Sequence, residues 1–305
     1  MWFKNLKLYQ FVEPFELTRD ELDEKLAELA FRPCGQVELS TQGWCSPAGR
    51  HADPLTMDCQ NSNFLMCLRK EEKLLPSGVI REMVEDKVQQ IREDEGRSVS
   101  RKEQQQFKEE IIQTLLPRAF PHSKFTFGYL DLSNQRLLVN SASDSAAEAF
   151  CSHLRKTLGS LPIKPLLVAT TPPSLMTDWL LKESNPADIE LSDECELRDP
   201  SDEGAIIRCR RQPLHSKEML EHINCGKEVQ RLAINWNDRI ECVIDESLGL
   251  RRLRFGDLIL DDQEPCDDPI SQTSADFQLM SLEINLLVNR MIEIFGGLSS
   301  TMKNG

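Results

Sequence analysis

The chain has no run of 18 apolar residues, which excludes a membrane-spanning helix of ordinary length. It has no Gly-x-x-x-x-Gly-Lys-Ser/Thr loop and no Gly-x-Gly-x-x-Gly after a strand, so the two common backbone cradles for nucleotide phosphates are missing. Five histidines, at 51, 122, 153, 215 and 222, show no His-x-x-x-His spacing. Ten cysteines, from Cys34 to Cys266, include no Cys-x-x-Cys pair. A zinc site of familiar spacing is thereby excluded, and the cysteines read as small buried hydrophobes of a reducing compartment. Aromatics are only 6% of the residues, and none is spaced as a stacking platform for unpaired bases. The opening Met-Trp-Phe-Lys-Asn has a lysine and no apolar run behind it, so no secretory signal is expected. No cofactor and no metal are expected.

What is present is an ordinary globular composition of 305 residues, 40% apolar and 28% charged, with a net charge of −14. That charge argues at first against a polyanionic partner, but local potential rather than net charge governs binding. The charges are unevenly spread. Residues 181–203 hold nine acids and two bases, and residues 257–268 hold six acids and no base. Residues 97–124 hold six bases against three acids, 205–217 four against none, and 150–166 three against none. Such patches read either as ordinary solvated faces or as a basic surface on an acidic body.

The pattern predicts an α+β fold with mixed sheets, helices and a projecting helical hairpin. A strand is expected near residues 3–11. Thr18 and Glu21 form a capping box that opens a helix ending near Arg32-Pro33. Residues 34–60 read as loop with a short strand, and Phe64 to Leu68 as a strand. Ile80, Met83, Val84, Val88 and Ile91 recur at helical spacing, and Ser100 with Glu103 caps a second helix running to Leu116. Strand, strand, helix and strand follow over 124–170, the last strand at Leu166 to Ala169, and Pro172-Pro173 marks a joint. Residues 186–262 read mostly as strand, Leu258 and Leu260 included, interrupted by a helix over Ser216 to Ile223 with a glycine cap at Gly226. Phe277, Met280, Ile284, Leu287, Met291 and Ile294 step by three and four, a helical seam better suited to an intramolecular core than to a coiled coil. Residues 1–75 with 121–180 form an α/β body, 76–120 the hairpin, 181–270 a strand-rich basal lobe, and 271–305 a C-terminal helix packing back on the body.

Three basic runs are candidate anion contacts. In the second hairpin helix Arg101 and Lys108, seven apart, lie nearly in line, with Glu103 and Glu110 roughly opposite; Arg97 and Lys102 belong to the same run. Just beyond, Leu-Leu-Pro-Arg-Ala-Phe-Pro places Arg118 and Phe120 in a stiff loop between prolines, where Phe120 is either a buried anchor or an interface residue. In Ile-Ile-Arg-Cys-Arg-Arg-Gln-Pro, Arg208 and Arg210 share one face of a strand, and Arg211 and Gln212 lead into a turn, so all four could grip phosphate oxygens. Arg251, Arg252 and Arg254 alternate with Leu253 and Phe255 and read equally as the polar side of a sheet. Asp261-Asp262 and Asp267-Asp268 could hold Mg²⁺ as in a nuclease, but their Pro-interrupted acidic run reads better as solvated charge.

Several motifs together resemble the recombination-associated protein RdgC family. They are Met-Trp-Phe-Lys-Asn-Leu at the start, Leu-Leu-Pro-Ser-Gly-Val-Ile at 74–80, Glu-Gly-Arg-Ser-Val-Ser-Arg-Lys-Glu at 95–103, Leu-Leu-Pro-Arg-Ala-Phe at 115–120 and Leu-Arg-Lys-Thr-Leu-Gly-Ser-Leu-Pro at 154–162. The cysteines and the Pro-His-Ser after Phe120 depart from it without touching these motifs. The resemblance implies a bacterial, cytoplasmic, nucleoid-associated protein that is not an enzyme. It implies that the chain is half of a ring-shaped homodimer encircling duplex DNA with little sequence preference and restraining the recombinase RecA. It also implies acid outside and base inside, with Arg118 and Phe120 at a dimer gate. Duplex DNA is the expected partner, single-stranded DNA is left open, and no membrane is expected. The alternatives are an interaction protein that binds RecA itself and DNA only weakly, and a metal-dependent nuclease.

Overall fold

A computed structural model describes residues 2–49, 54–59, 62–260 and 268–299. The chain divides into two compact units. Unit 1 comprises residues 1–28, 46–67 and 126–305, and unit 2 comprises 29–45 and 68–125.

Unit 1 is built on an antiparallel sheet. Its strands are β1 (Asn5–Phe11), β3 (Thr56–Cys59), the start of β4 (Asn63–Lys73), the end of β5 (Pro121–Asp131), β6 (Arg136–Val139), β7 (Ile163–Pro165), β8 (Ile189–Asp199), β9 (Asp202–Arg210), β10 (Glu228–Trp236), β11 (Ile240–Asp245) and β12 (Leu250–Phe255). The order β5-β6-β1-β12-β11-β10-β8-β9 leaves β9 at an edge, with β7 beside β1 and β3 beside β4. The expectation of mixed sheets gives way here, because every strand pairing whose register is described is antiparallel. The parallel contact is an isolated bridge between Ala30 and Trp44, in unit 2.

Alternation along β8 to β12 sorts residues by face. Cys195, Leu197, Cys209, Leu232, Ile234, Cys242, Ile244, Leu250 and Leu253 are buried in one apolar cluster. Helices α5 (Pro172–Lys182), α6 (Lys217–Asn224) and α8 (Pro269–Ile294) contribute to the same cluster, as do Leu6 and Leu8 of β1, Tyr129 of β5 and Leu138 of β6. The α8 seam is an intramolecular core contact, as its spacing predicts: Phe277, Met280, Ile284, Leu287 and Met291 are all buried. Phe277 meets Tyr129 edge-on, with centroids 5.5 Å apart, and the Tyr129 hydroxyl donates to Asn285 at 3.0 Å. Asp268 caps α8 by accepting from the Ile270 and Ser271 amides.

Some expected boundaries move. The Thr18–Glu21 capping box is present, but α1 (Arg19–Glu28) stops before Arg32, because Phe31 turns its amide to the Trp44 carbonyl at 2.8 Å. Pro172 and Pro173 open α5 rather than mark a joint; proline suits the first helical positions, whose amides have no partner within the helix. The strand expected at 166–169 lies earlier, as β7, and Val168 keeps only a bridge to Leu298. Leu258 and Leu260 lie in a single helical turn, α7 (Asp257–Leu260), that closes on the Gly256 carbonyl. Helix α4 (Asp144–Leu158) matches its expected place.

Unit 2 holds β2 (Ser40–Cys45), the outer parts of β4 and β5, α2 (Ser77–Glu95), α3 (Arg101–Leu115) and a 3-10 turn at Leu116–Arg118. Gly96 ends α2 in the left-handed region at φ 67°, the conformation glycine adopts without penalty. The Ser100–Glu103 box caps α3. Between the two helices, Lys87 donates to Glu110 at 2.6 Å and lies over the Phe107 ring.

Candidate nucleic-acid interface

The polar side of the unit 1 sheet carries a cluster of cations drawn from β1, β9, β10 and β12. In β9, Arg208 and Arg210 share this side while Cys209 points into the core. Their cross-strand partners in β8 are Glu196 and Glu194. The acidic run 181–203 and the basic run 205–217 therefore meet as neighbouring strands. On this face the two signs interleave.

Three carboxylates on this side are each shared by two cations. Glu196 Oε2 lies 2.8 Å from Arg208 Nε and 3.3 Å from Arg231 NH1. Glu194 Oε1 lies 3.3 Å from Arg210 Nε and 2.8 Å from Arg252 NH2. Asp245 Oδ2 lies 2.8 Å from Arg251 Nε and 3.6 Å from Lys7 Nζ. A guanidinium has five N–H donors, so one shared carboxylate leaves most of them unused. At the rim, Lys7 also meets Asp144 at 2.7 Å and Arg231 approaches Glu246 at 4.0 Å. Arg231 Nε is buried without a hydrogen bond among the described residues.

Two of these arginines have unusual backbones. Arg211 has φ 56° and Arg252 has φ 53°, uncommon for residues other than glycine. The β11–β12 pairing slips between Glu241 and Val243, and Arg252 occupies the extra position opposite that slip. A bulge re-aims a side chain, and here the arginine reaches Glu194 on β8. Two hollows open on the face, of about 320 and 480 Å³. They share Glu194, Arg210, Val243 and Arg252, and the second adds Arg211 and Arg254 together with Asp193 and Glu241. Neither Arg211 nor Arg254 has an ion pair among the described residues. The structure thus joins two runs that are separate in sequence, 208–211 and 251–254. Gln212 is half-buried beside Arg211.

Asp245 organises the third triad. Burial pushes its pKa up, but hydrogen bonds from Arg251 and Ser247, the charge of Lys7 and the Gly249 amide outweigh that and hold the carboxyl below its ordinary range. The Gly249 N–H donates to it at 2.7 Å, and Ser247 donates through both its amide and its hydroxyl. A Cβ on Gly249 would lie 2.7–3.0 Å from the same carboxylate.

The remaining candidates belong to unit 2. Arg97 is held by Glu95 and Glu103, at 2.5 and 2.8 Å. Arg101 and Lys108 line a groove of about 590 Å³ between α2 and α3, with Arg81 on the facing helix and Ile80 and Val84 in its wall. Lys102 and Arg118 are exposed, and Phe120 is 81% exposed, so it is not a buried anchor of its own chain. The Phe120 carbonyl accepts from the Leu74 amide at 2.9 Å, which fixes the backbone beneath the ring.

Sequence reasoning missed Glu194, Glu196 and Arg231. The signal for the first two was there: Glu194-Cys195-Glu196 alternates in the same way as Arg208-Cys209-Arg210. Cys67, Cys151, Cys195, Cys209 and Cys242 are buried, as expected, whereas Cys34 and Cys45 are half-buried and Cys225 is exposed; burial pushes the thiols of Cys195 and Cys242 up to about 12 and that of Cys151 to about 11. Among the described residues no group of three or more His, Cys, Asp or Glu is placed to hold a metal, and no helix is long and apolar enough to cross a membrane. Asp261, Asp262 and Asp267 lie outside the described residues.

The sequence model of the family described as "Putative exonuclease, RdgC" matches residues 1–298. The chain belongs to the RdgC family. Proteins named "Recombination-associated protein RdgC" are similar along nearly their whole length. The one from Pseudoalteromonas atlantica is 40% identical over 297 residues, covering 97% of this chain and 98% of the relative. Those from Tolumonas auensis and Pseudomonas aeruginosa PAO1 are each 40% identical over 299 residues, covering 97% of this chain and 99% and 98% of the relative. The RdgC relatives are thus named for an association with recombination, whereas the family description names an exonuclease.

Proposed function

We propose that this RdgC-family chain binds duplex DNA without cleaving it, through the arginine face of unit 1, and does so as a ring-shaped homodimer around the duplex that restrains RecA in recombination. The observation that carries the reading is the convergence of arginines from β9, β10 and β12 on one sheet face of a chain whose net charge is −14. Guanidinium groups arrayed on a regular sheet suit phosphate oxygens, and phosphate contacts give affinity without sequence preference. Residues in uncommon backbone conformations cluster at functional sites, and Arg211 and Arg252 fit that pattern.

In the same reading Arg97, Arg101, Lys102, Lys108 and Arg118 add phosphate contacts from unit 2, and Phe120 docks against a second copy of the chain. An aromatic ring 81% exposed on a pinned backbone suits docking, because little entropy is lost on binding. The net charge favours a second reading, direct binding to RecA with weak DNA affinity. Binding to a short labelled duplex with no RecA present separates the two: saturable, salt-sensitive binding supports the first. The same samples incubated with Mg²⁺ test the exonuclease description, since the proposed activity leaves the DNA intact.

A further inference from the structure

The three triads are not equivalent. Asp245 is fully buried and is held by backbone amides as well as by cations, so it is part of the frame. Glu194 and Glu196 are different. Their side chains are 25% and 12% exposed, and their bonds among the described residues go to guanidinium groups. Glu196 sits on β8 between Arg208 on β9 and Arg231 on β10, in one rung of the sheet. Glu194 draws together Arg210 from β9 and Arg252 from β12.

An oxygen anion that bridges two guanidinium groups from different strands does what a DNA phosphate would do there. We propose that Glu194 and Glu196 are built-in stand-ins for phosphate: they hold the arginine pairs in a phosphate-ready arrangement and are displaced when the DNA backbone takes their place. This rests on the reading of the face as the DNA interface. The carboxylates then act as a threshold. A polyanion that engages several arginine pairs at once displaces them, and an isolated phosphate does not.

The two roles separate on removing the charge while keeping the shape. Glu196→Gln and Glu194→Gln, alone and together, are titrated against a labelled duplex across a salt series in the full chain. Glu24→Gln, on an exposed stretch of α1, is the control for the change in net charge. Each face variant is expected to tighten duplex binding by about three- to tenfold at moderate salt and to steepen the log–log salt slope by up to about 0.9 per phosphate gained. The control changes neither. Inorganic phosphate, added without duplex, is expected to raise the unfolding temperature of both variants and to leave that of the wild type unchanged. Binding that is unchanged or weaker in both face variants, with unfolding temperatures kept, overturns the proposal and makes the carboxylates positioning residues. If one variant fails to fold, the other decides, because the two belong to separate triads; failure of both to fold overturns it as well. A wild type that does not bind duplex removes the interface reading itself, and this inference with it. Loss of binding in an Arg208→Ala/Arg210→Ala protein without any gain in the glutamine variants removes only this inference.

Discussion

Arg252 on β12 meets Glu194 on β8 at 2.8 Å, although β11 and β10 lie between them in the sheet. The contact needs the φ of 53° at Arg252, which turns its side chain out of the regular alternation and across the face. It links the two arginine runs, 208–211 and 251–254, into one surface. Truncating Arg252 to alanine is expected to weaken duplex binding severalfold at low salt and to leave the unfolding temperature nearly unchanged. An exposed ion pair contributes only about 0–1 kcal/mol to stability. Anisotropy titration alongside thermal unfolding checks both halves.

Gly249 has the opposite profile. A methyl group there collides with the Asp245 carboxylate, and the amide bond to that carboxylate is strained or lost. Gly249→Ala is expected to cost roughly 1.5–3 kcal/mol of folding stability, the range for a hydrogen bond to a charged group. Urea unfolding followed by tryptophan fluorescence measures it.

The same carboxylate makes the fold sensitive to acid. The folded state holds the Asp245 pKa below its unfolded value, so its contribution is complete above about pH 4, the ordinary aspartate value. That contribution is lost as the pH falls through the lower, folded value. Asp245→Asn should therefore be less stable than the wild type at neutral pH, and the gap should narrow on acidification. Unfolding midpoints from pH 7 down to about pH 3 would show it; a gap independent of pH would contradict it.

Phe120→Ala tests the proposed dimer contact. The ring is exposed, so its loss should change chain stability by no more than about 0.5 kcal/mol. Dimer mass should fall toward that of one chain, 34.9 kDa, at dilute concentration. Light scattering over a dilution series reads this directly.

Local signals in the sequence carried much of the fold. The α8 seam, both capping boxes and the alternation of Arg208, Cys209 and Arg210 act through neighbours a few residues away, and each appears where its pattern places it. Errors fell where long-range pairing decides. Pro172-Pro173 looks like a break until the helix behind it has Trp179 and Leu180 to bury. Charge blocks looked segregated because strand register is not written in composition. Only the pairing of β8 with β9 sets Glu194 against Arg210 and Glu196 against Arg208. Arg231 carried no signal, since it is a lone arginine in an otherwise ordinary strand.

On the proposed reading, the arginine face of unit 1 holds the phosphates of duplex DNA. The most direct test is a salt titration of duplex binding by the wild type and by Arg208→Ala/Arg210→Ala, with no other protein present. A steep log–log dependence is expected for the wild type, with affinity lowered about tenfold or more in the variant and a slope shallower by about one per lost contact, on every duplex sequence alike. A variant that binds as tightly as the wild type with the same slope would contradict it.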